Sequence, residues 1–498
     1  LQPSYNNGWR FETRLCHEKF TIQWYALPVK LKKLLNHLGV KMVCKKTTSW
    51  VFLSVAMAFA NPIFADSADV IELLDVLKQN GVVSEEQYQS LLESQVQKIE
   101  TKQKEALAKQ KEENGGPRVS FKDGGPKIES ADKAYSAELH GRLQVDSAWY
   151  ADDQRALGDG AEVRRAYLSV NGTLAKYFDY KLEYNFAGGG EINDMYLRYN
   201  YYKPFLLTVG YFKEPFSLEE LTSDLNITFM ERGLPNVFSP SRKIGIMGST
   251  YNDWGSLSLG GFGPDANDDD HPETAGGEEG DEGWRVAARG TFSPLHEKGK
   301  VVHLGAAVDY WSPADHTLRI RQRPESHVTD MRLVDTGSLG YIDDMTTFGA
   351  ELAGVWGPAS IQGEYMQAEV SRKAGGNPTF SGWYAYASYF LTGESRPYNH
   401  KKGTFGRVKP KRNFPDGWGA WELAARYSSL DLADDSIQGG KQDDITVGMN
   451  WYLNPNTKVK AEYVMIDAEP SSSYSGGSTR QGKDDSPEVY QMRVQYDF

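Results

Sequence analysis

Cysteine is nearly missing. Two of 498 residues, Cys16 and Cys44, are too few for a disulfide scaffold or most thiolate metal sites. Positive charge is in deficit, with 55 Lys and Arg against 67 Asp and Glu and a net charge of −12. A general nucleic-acid binder needs the opposite balance. Mean hydropathy is −0.56, which argues against a membrane protein built from helices. It does not argue against a membrane β-barrel, whose strands alternate apolar and polar residues. Catalytic spacing is absent too: His140, His271, His296, His303, His316, His327 and His400 are scattered, with no paired ligand spacing. No catalytic set, metal site or cofactor is read from the chain, and each histidine reads better as solvated or structural.

The first methionine is Met42. Lys45 and Lys46, the apolar run Trp50 to Ala60, and Ala65 follow, which is the pattern of a secretory signal peptide. The apolar run is too short for a spanning helix, which needs about 20 residues. Residues 1–41 therefore read as an over-extended translation start and 42–65 as the signal, with cleavage after Ala65 favoured over Ala60. Residues 1–65 carry 9 basic and 2 acidic residues, so the remainder has 46 and 65, or −19, and no cysteine. An exported chain of this kind suits the periplasm or outer membrane.

Residues 66–113 read as helical and periplasmic. Val70, Leu73, Leu74 and Leu77 have helical spacing, Asn80-Gly81 breaks the helix, and Ser84-Glu-Glu-Gln87 has capping-box spacing for a second one. Its charged repeats fit a short coiled coil or a solvated spacer. Asn114-Gly-Gly-Pro117 and Asp123-Gly-Gly-Pro126 mark residues 114–136 as a linker.

From residue 137 to 498 the period changes to two. In the last segment Tyr490, Met492, Val494, Tyr496 and Phe498 face away from Gln491, Arg493, Gln495 and Asp497. About sixteen such segments begin near Glu138, Ala161, Tyr180, Asn193, Leu206, Arg242, Trp254, Trp284, Val301, Thr346, Ala359, Phe380, Ala420, Asp444, Lys458 and Glu488. Aromatics cluster at segment ends, as at Trp149-Tyr150 and Trp451-Tyr452, which suits interfacial girdles. The expectation is an all-β protein: a transmembrane antiparallel barrel of about sixteen strands, wide enough for an aqueous channel. A soluble sandwich is the weaker alternative.

Several cations have lumen parity: Arg165, with Arg164 beside it near the strand start, then Arg198, Arg285, Arg289, Arg426 and Arg493. Arg319, Arg321 and Arg323 alternate, so in extended backbone they form a column with steps of roughly 6.5–7 Å. Such a column attracts anions, because guanidinium stays charged and matches phosphate oxygens. A solvated edge strand, or contact with lipopolysaccharide phosphates, is the other reading. Tyr211 to Ser241 has no strand pattern and carries Lys213, Ser217, Glu219, Glu220 and Arg232, with Arg242 and Lys243 just beyond. Folded inward it makes a constriction; the alternative is an outside loop. Asp265 to Glu282 holds nine acidic residues and no Lys or Arg, and reads as an outside loop that could bridge divalent cations between lipid phosphates, or a plain solvated one. Lys401, Lys402, Arg407, Lys409, Lys411 and Arg412 form a basic loop, either solvated or recruiting anions to a channel mouth.

Val163-Arg-Arg-Ala-Tyr-Leu168, Tyr180-Lys-Leu-Glu-Tyr184, Val209-Gly-Tyr-Phe-Lys-Glu-Pro-Phe-Ser-Leu-Glu-Glu-Leu221 and Phe229-Met-Glu-Arg-Gly-Leu-Pro-Asn236 resemble the phosphate-selective porin (O/P) family of Gram-negative outer membranes. The resemblance covers about 137–498. It implies a sixteen-stranded barrel, usually a homotrimer, with an inward third loop and an arginine ladder leading to a narrow site. Arg319, Arg321 and Arg323 resemble the ladder, and Arg164 and Arg165 the paired arginines near the central site. Lys213 and Ser217 resemble the constriction-loop lysine and serine; Arg232 and Arg242 match less closely. The implied function is a passive, anion-preferring outer-membrane channel for inorganic phosphate, polyphosphate or related small anions, with lipid and lipopolysaccharide as neighbours. Glu214, Glu219 and Glu220 count against strict phosphate selectivity. A general or sugar-type porin and a barrel enzyme are the alternatives.

Overall fold

The computed structural model describes residues 78, 84–113, 116–122, 124–267, 283–469 and 484–498. Contacts divide the chain into two compact units, 1–106 and 107–498. In the first, the described residues form most of α1, Glu85–Glu113. The amide of Tyr88 donates to the Ser84 carbonyl at 2.8 Å, and Glu85 and Glu86 lie in the first turn, where the helix dipole favours acids. The leader, residues 1–41 and the helix expected around Val70–Leu77 lie outside the described residues.

The second unit is a closed barrel of sixteen antiparallel strands. They are β1 Ser136–Ala151, β2 Gly160–Leu174, β3 Phe178–Asn185, β4 Glu191–Tyr199, β5 Leu206–Lys213, β6 Arg242–Asn252, β7 Gly255–Phe262 and β8 Trp284–Glu297, then β9 Lys300–Ser312, β10 Ile342–Trp356, β11 Ala359–Arg372, β12 Thr379–Phe390, β13 Ala420–Asp434, β14 Ile437–Tyr452, β15 Thr457–Glu469 and β16 Glu488–Asp497. Each pairs with the next, and β16 closes on β1 through Asp497↔Arg142 to Glu488↔Ala151, so no barrel edge stays open to lipid. β14 starts at Ile437, well before the expected Asp444. Gly439 and Gly440 carry no side chain to show the alternation, and the residues around them are polar.

Part of the expected linker is a hairpin, Arg118–Lys122 with Gly125–Glu129. It pairs onto the foot of β1 (Lys127↔Glu138, Ile128↔Ala137), below the point where β16 ends. The alternation of Val119 and Phe121 with polar neighbours was the available signal.

The two faces of the wall are inverted relative to a soluble protein. In β16, Gln491, Arg493, Gln495 and Asp497 are buried, while Tyr490, Met492, Val494 and Tyr496 are exposed outward. Apolar residues outside and hydrogen-bonded polar residues inside suit lipid around a wet lumen. One rim carries short turns such as 253–254 and 357–358, the other the longer loops, which is the periplasmic-to-extracellular asymmetry of such barrels.

Three connections fold into the barrel. The third loop (214–241) and fifth loop (313–341) lie against the wall β9–β13. There Phe216, Leu234 and Phe238 pack with Ile320, Val334, Met366 and Phe380 in an apolar core. Gly349 permits the close approach, since a Cβ there would sit 2.9 Å from the Phe216 ring. A second cluster seats Leu333 of the fifth loop on Val464, Ile466 and Val489. The third connection, 391–419, is the one long segment on the short-turn rim among the described residues. It turns inward, placing Phe405 against Leu218 and donating from the Phe405 amide to Thr222 Oγ1 at 3.3 Å. What stays open lies along β1–β6.

Candidate functional site

The third loop crosses the lumen as a ribbon held by side chains from the wall. Glu364 of β11 accepts from the amides of Leu218 (2.9 Å) and Glu219 (2.8 Å), which open a short helix, Leu218–Leu221. Further along, Lys460 of β15 donates to the carbonyls of Ile227 (3.0 Å) and Phe229 (2.6 Å), and Lys458 donates to that of Leu225. Glu462 accepts from the Met230 amide at 2.6 Å, and Ser428 Oγ from the Leu234 amide at 2.8 Å. Lys458, Lys460 and Glu462 share the lumen face of β15 because strand side chains alternate. A loop cannot be buried with unpaired backbone groups, so these polar lumen residues are what make the inward path affordable.

The ribbon brings three of its acids, Glu220, Asp224 and Glu231, against cations of the wall and of the loop itself, and each of the three bridges two. Asp224 joins Arg142 (2.5 Å) and Arg165 (2.7 Å). Glu220 joins Lys213 (2.5 Å) and Arg232 (3.1 Å). Glu231 joins Arg164 (2.9 Å) and Arg493 (2.6 Å). On the wall itself, Asp194 joins Lys181 (2.6 Å) and Arg242 (2.9 Å). The cations that border open space therefore share their acids and keep part of their field for a passing ion.

Two chambers lie on either side of this network. The inner one, about 320 Å³, is lined by seven cations (Arg142, Arg165, Lys181, Lys213, Arg232, Arg242, Lys402) and four acids (Glu183, Asp194, Glu220, Asp224). The outer one, about 230 Å³, is lined by Arg164, Arg232, Arg321, Arg323 and Arg332 with His327, against Glu231 and Glu325. Arg232 borders both, so it marks the junction. Its guanidinium also donates to the carbonyls of Glu219 (3.1 Å) and Glu220 (3.2 Å). A third space of about 190 Å³, with Arg142, Lys181, Arg407 and Phe498, continues toward the short-turn rim.

The residues singled out from the sequence divide on this map. Arg164, Arg165, Lys213, Arg232, Arg242, Arg321 and Arg323 converge on the two chambers. Arg319 does not line them; it is bound to Asp335 at 2.5 Å. The alternating run is not a barrel strand but part of the fifth loop, where only Arg321 and Gln322 pair, with Val334 and Asp335. Arg321 forms no ion pair among the described residues. Arg198 donates to Thr208 Oγ1 at 3.1 Å and lies off the chambers. Ser217 is buried and caps the short helix, its Oγ accepting from the Glu220 amide at 3.1 Å, with φ of 65°. It positions backbone rather than lining a path.

Arg285, Arg289, Arg426 and Arg493 have lumen parity, but acids hold them: Asp309 at 2.8 Å, Glu351 at 2.7 Å, Glu325, and Asp146 at 2.6 Å respectively. Parity shows the face a side chain takes, not whether an acid sits opposite. Sequence reasoning missed Arg142, Lys181, Asp194, Asp224, Glu231 and Arg332 as lining or bridging residues. Tyr180-Lys-Leu-Glu-Tyr184 already carried the alternation that turns Lys181 and Glu183 inward. The loop acids had no local signal.

Residues 137–498 match the family described as phosphate-selective porin O and P. The chain belongs to this family. It is 28% identical to Porin O of Pseudomonas aeruginosa over 430 residues, 77% of this chain and 93% of that protein. It is 31% identical over 390 residues to an uncharacterized protein of Caulobacter vibrioides, covering 75% of this chain and 76% of that one. An anion-selective porin from Comamonas acidovorans aligns with a TM-score of 0.47 at 14% identity, over 73% of this chain and all of that one. This O/P-family porin is an outer-membrane channel of Gram-negative bacteria, not an enzyme.

Within the porin, the three bridging loop acids stay ionised far into acid. Burial raises Glu220, but Arg232 and Lys213 outweigh it and hold it at about 2. Asp224 and Glu231 are raised by burial and brought well below the ordinary range by Arg142 and Arg165, and by Arg164 and Arg493. Carboxyls depressed on folding stabilise above their ordinary range, and that stabilisation is lost as pH falls through the folded value. Single-channel KCl conductance should therefore hold steady from about pH 7 down to about pH 4 and break down only nearer pH 2–3. A transition centred near pH 4–5, where exposed carboxyls titrate, would show the network is not formed.

Proposed function

We propose that this porin is a passive, anion-preferring channel for inorganic phosphate, polyphosphate or similar small anions, with the arginine-bordered chambers as its path. The observation that carries the reading is the junction at Arg232. There two chambers meet, each with an excess of cations, and each bridging acid is shared by at least two of them. An ion entering from the outer chamber exchanges water for guanidinium and ammonium donors that are already oriented. It can leave because the acids keep each site weak, and conduction needs sites weak enough to release. The family description points the same way.

Four acids in the inner chamber favour a second reading, a general anion porin without phosphate selectivity. Bilayer recordings separate the two. A KCl gradient should give a reversal potential of anion sign, and millimolar phosphate should block the chloride current. Cation preference would sink both readings; anion preference without block would leave the general porin.

A homotrimer is part of the proposal. β3, β5 and β7 have eight residues each. At ~3.3 Å per residue and a tilt near 40°, they reach roughly 20 Å, short of the ~25 Å apolar band. A wall too short for lipid, yet exposing Leu182, Leu197, Val209, Ile246 and Leu259, is suited to cover by neighbouring copies.

A further inference from the structure

Glu214 is the first residue of the third loop, and its surroundings are unlike those of the other loop acids. Its side chain is fully buried, and neither carboxylate oxygen has a hydrogen-bond donor. The carboxylate facing it within hydrogen-bonding reach belongs to Asp309 of β9, also fully buried, whose Oδ1 has no donor. Thr347 of β10 stands directly across the sheet from Asp309, buried, with its own hydroxyl unpartnered. The cation at hand is Arg285 of β8, 2.8 Å from Asp309 Oδ2 but 3.9 Å from Glu214 Oε1. Lys243 of β6 acts from farther away and is bound to Asp265 at 3.2 Å. Two carboxylates against one guanidinium, sealed from water, leave one negative charge without compensation. A buried carboxylate that receives no hydrogen bond is strongly disfavoured and is neutralised instead.

We propose that Glu214 and Asp309 share one proton, and that this acid pair positions the root of the constriction loop. The proton supplies the missing donor: a carboxylic acid gives an O–H to its carboxylate neighbour, while Arg285 holds the other side of Asp309. The location makes the bond consequential. Two residues on, Phe216 docks onto Gly349, and then Leu218 and Glu219 bind Glu364, so the first turn of the ribbon is aimed from here. Proton loss would set two charges against each other beneath that turn.

Burial, then the Asp309 charge, push the Glu214 carboxyl up to about 8, with Arg285 opposing. For a carboxyl raised on folding, the stabilisation is fully present below its ordinary range. It declines as pH rises and is gone above the folded value. The transition therefore belongs on the alkaline side.

The test uses the full porin in bilayers, comparing wild type with Glu214→Gln and Asp309→Asn across about pH 6 to pH 9.5, in KCl without phosphate, which itself titrates. Folding is checked by heat-modifiable migration. Wild-type conductance should change about twofold above pH 8. Glu214→Gln, whose amide donates like the acid at every pH, should stay flat. The same transition in Glu214→Gln would assign it to lumen lysines and overturn the proposal. So would wild-type dependence on millimolar Ca²⁺ or Mg²⁺ in place of protons, which would make the pair a metal site. If Glu214→Gln does not fold, Asp309→Asn decides: a flat profile supports the pair, an unchanged transition overturns it.

Discussion

Lys460→Met is expected to widen the channel without dismantling the barrel. Lys460 is fully buried, and its ammonium is the donor for two carbonyls of the third loop, Ile227 and Phe229, on either side of the Thr228 carbonyl that Asn450 holds. Methionine fills similar volume but donates nothing. Each buried acceptor left unpaired costs about 1–3 kcal/mol, so the ribbon loses roughly 2–6 kcal/mol of its hold on the wall. The strand pairing of β15 with β14 and β16 is backbone and stays intact. Single-channel conductance should rise at least about twofold with larger current noise, and anion preference should fall, because Arg232 and the loop acids leave the path together. The folded form should still shift its migration on heating. Unchanged conductance and noise in a folded Lys460→Met channel would mean the remaining anchors, polar and apolar, hold the loop without Lys460.

The second large effect is expected at Arg321. Its guanidinium borders the outer chamber and forms no ion pair among the described residues; Asp335, opposite it in the short pairing, is bound by Arg319 instead, so most of the Arg321 field is left to the path. Arg319 is locked to Asp335 and does not line the chamber, while Arg323 is engaged with Asp330. Within a screening length of about 8 Å, one unshared charge near the anion should outweigh a neutralised one further off. Arg321→Ala should raise the phosphate concentration for half-block about three- to tenfold, which is up to ~1.4 kcal/mol. Arg319→Ala should change it less than about twofold. Equal effects would make the run a diffuse basic patch; no effect at Arg321 would remove it from the path.

The contrast between these two residues shows how far sequence reading reaches. Arg319, Arg321 and Arg323 share a parity, and their residue type announces anion affinity. What separates them is Asp335, brought back across by the two-residue pairing inside the fifth loop. Likewise Arg289 and Arg165 are the same residue at the same parity. Arg289 is closed off by Glu351 and the carbonyl of Gly403, while Arg165 still borders the inner chamber. Ser217 lies within a motif resembling the family's constriction loop, yet its hydroxyl is used to cap a helix turn.

Sixteen strands, their inward and outward faces, the family and the outer-membrane setting were legible in the chain, because strand periodicity and the lipid-facing apolar face are local properties. The basic runs were legible for the same reason. The constriction was not. Which loops enter the lumen depends on Lys460, Glu462 and Glu364 satisfying a backbone some 145 to 233 residues away in sequence. Only the closed barrel brings those groups within hydrogen-bonding distance. The apparent conflict between a net charge of −12 and an anion path is resolved there as well. Net charge sums over the whole chain, whereas an ion responds to the few charges within a screening length, and the folded barrel decides which those are.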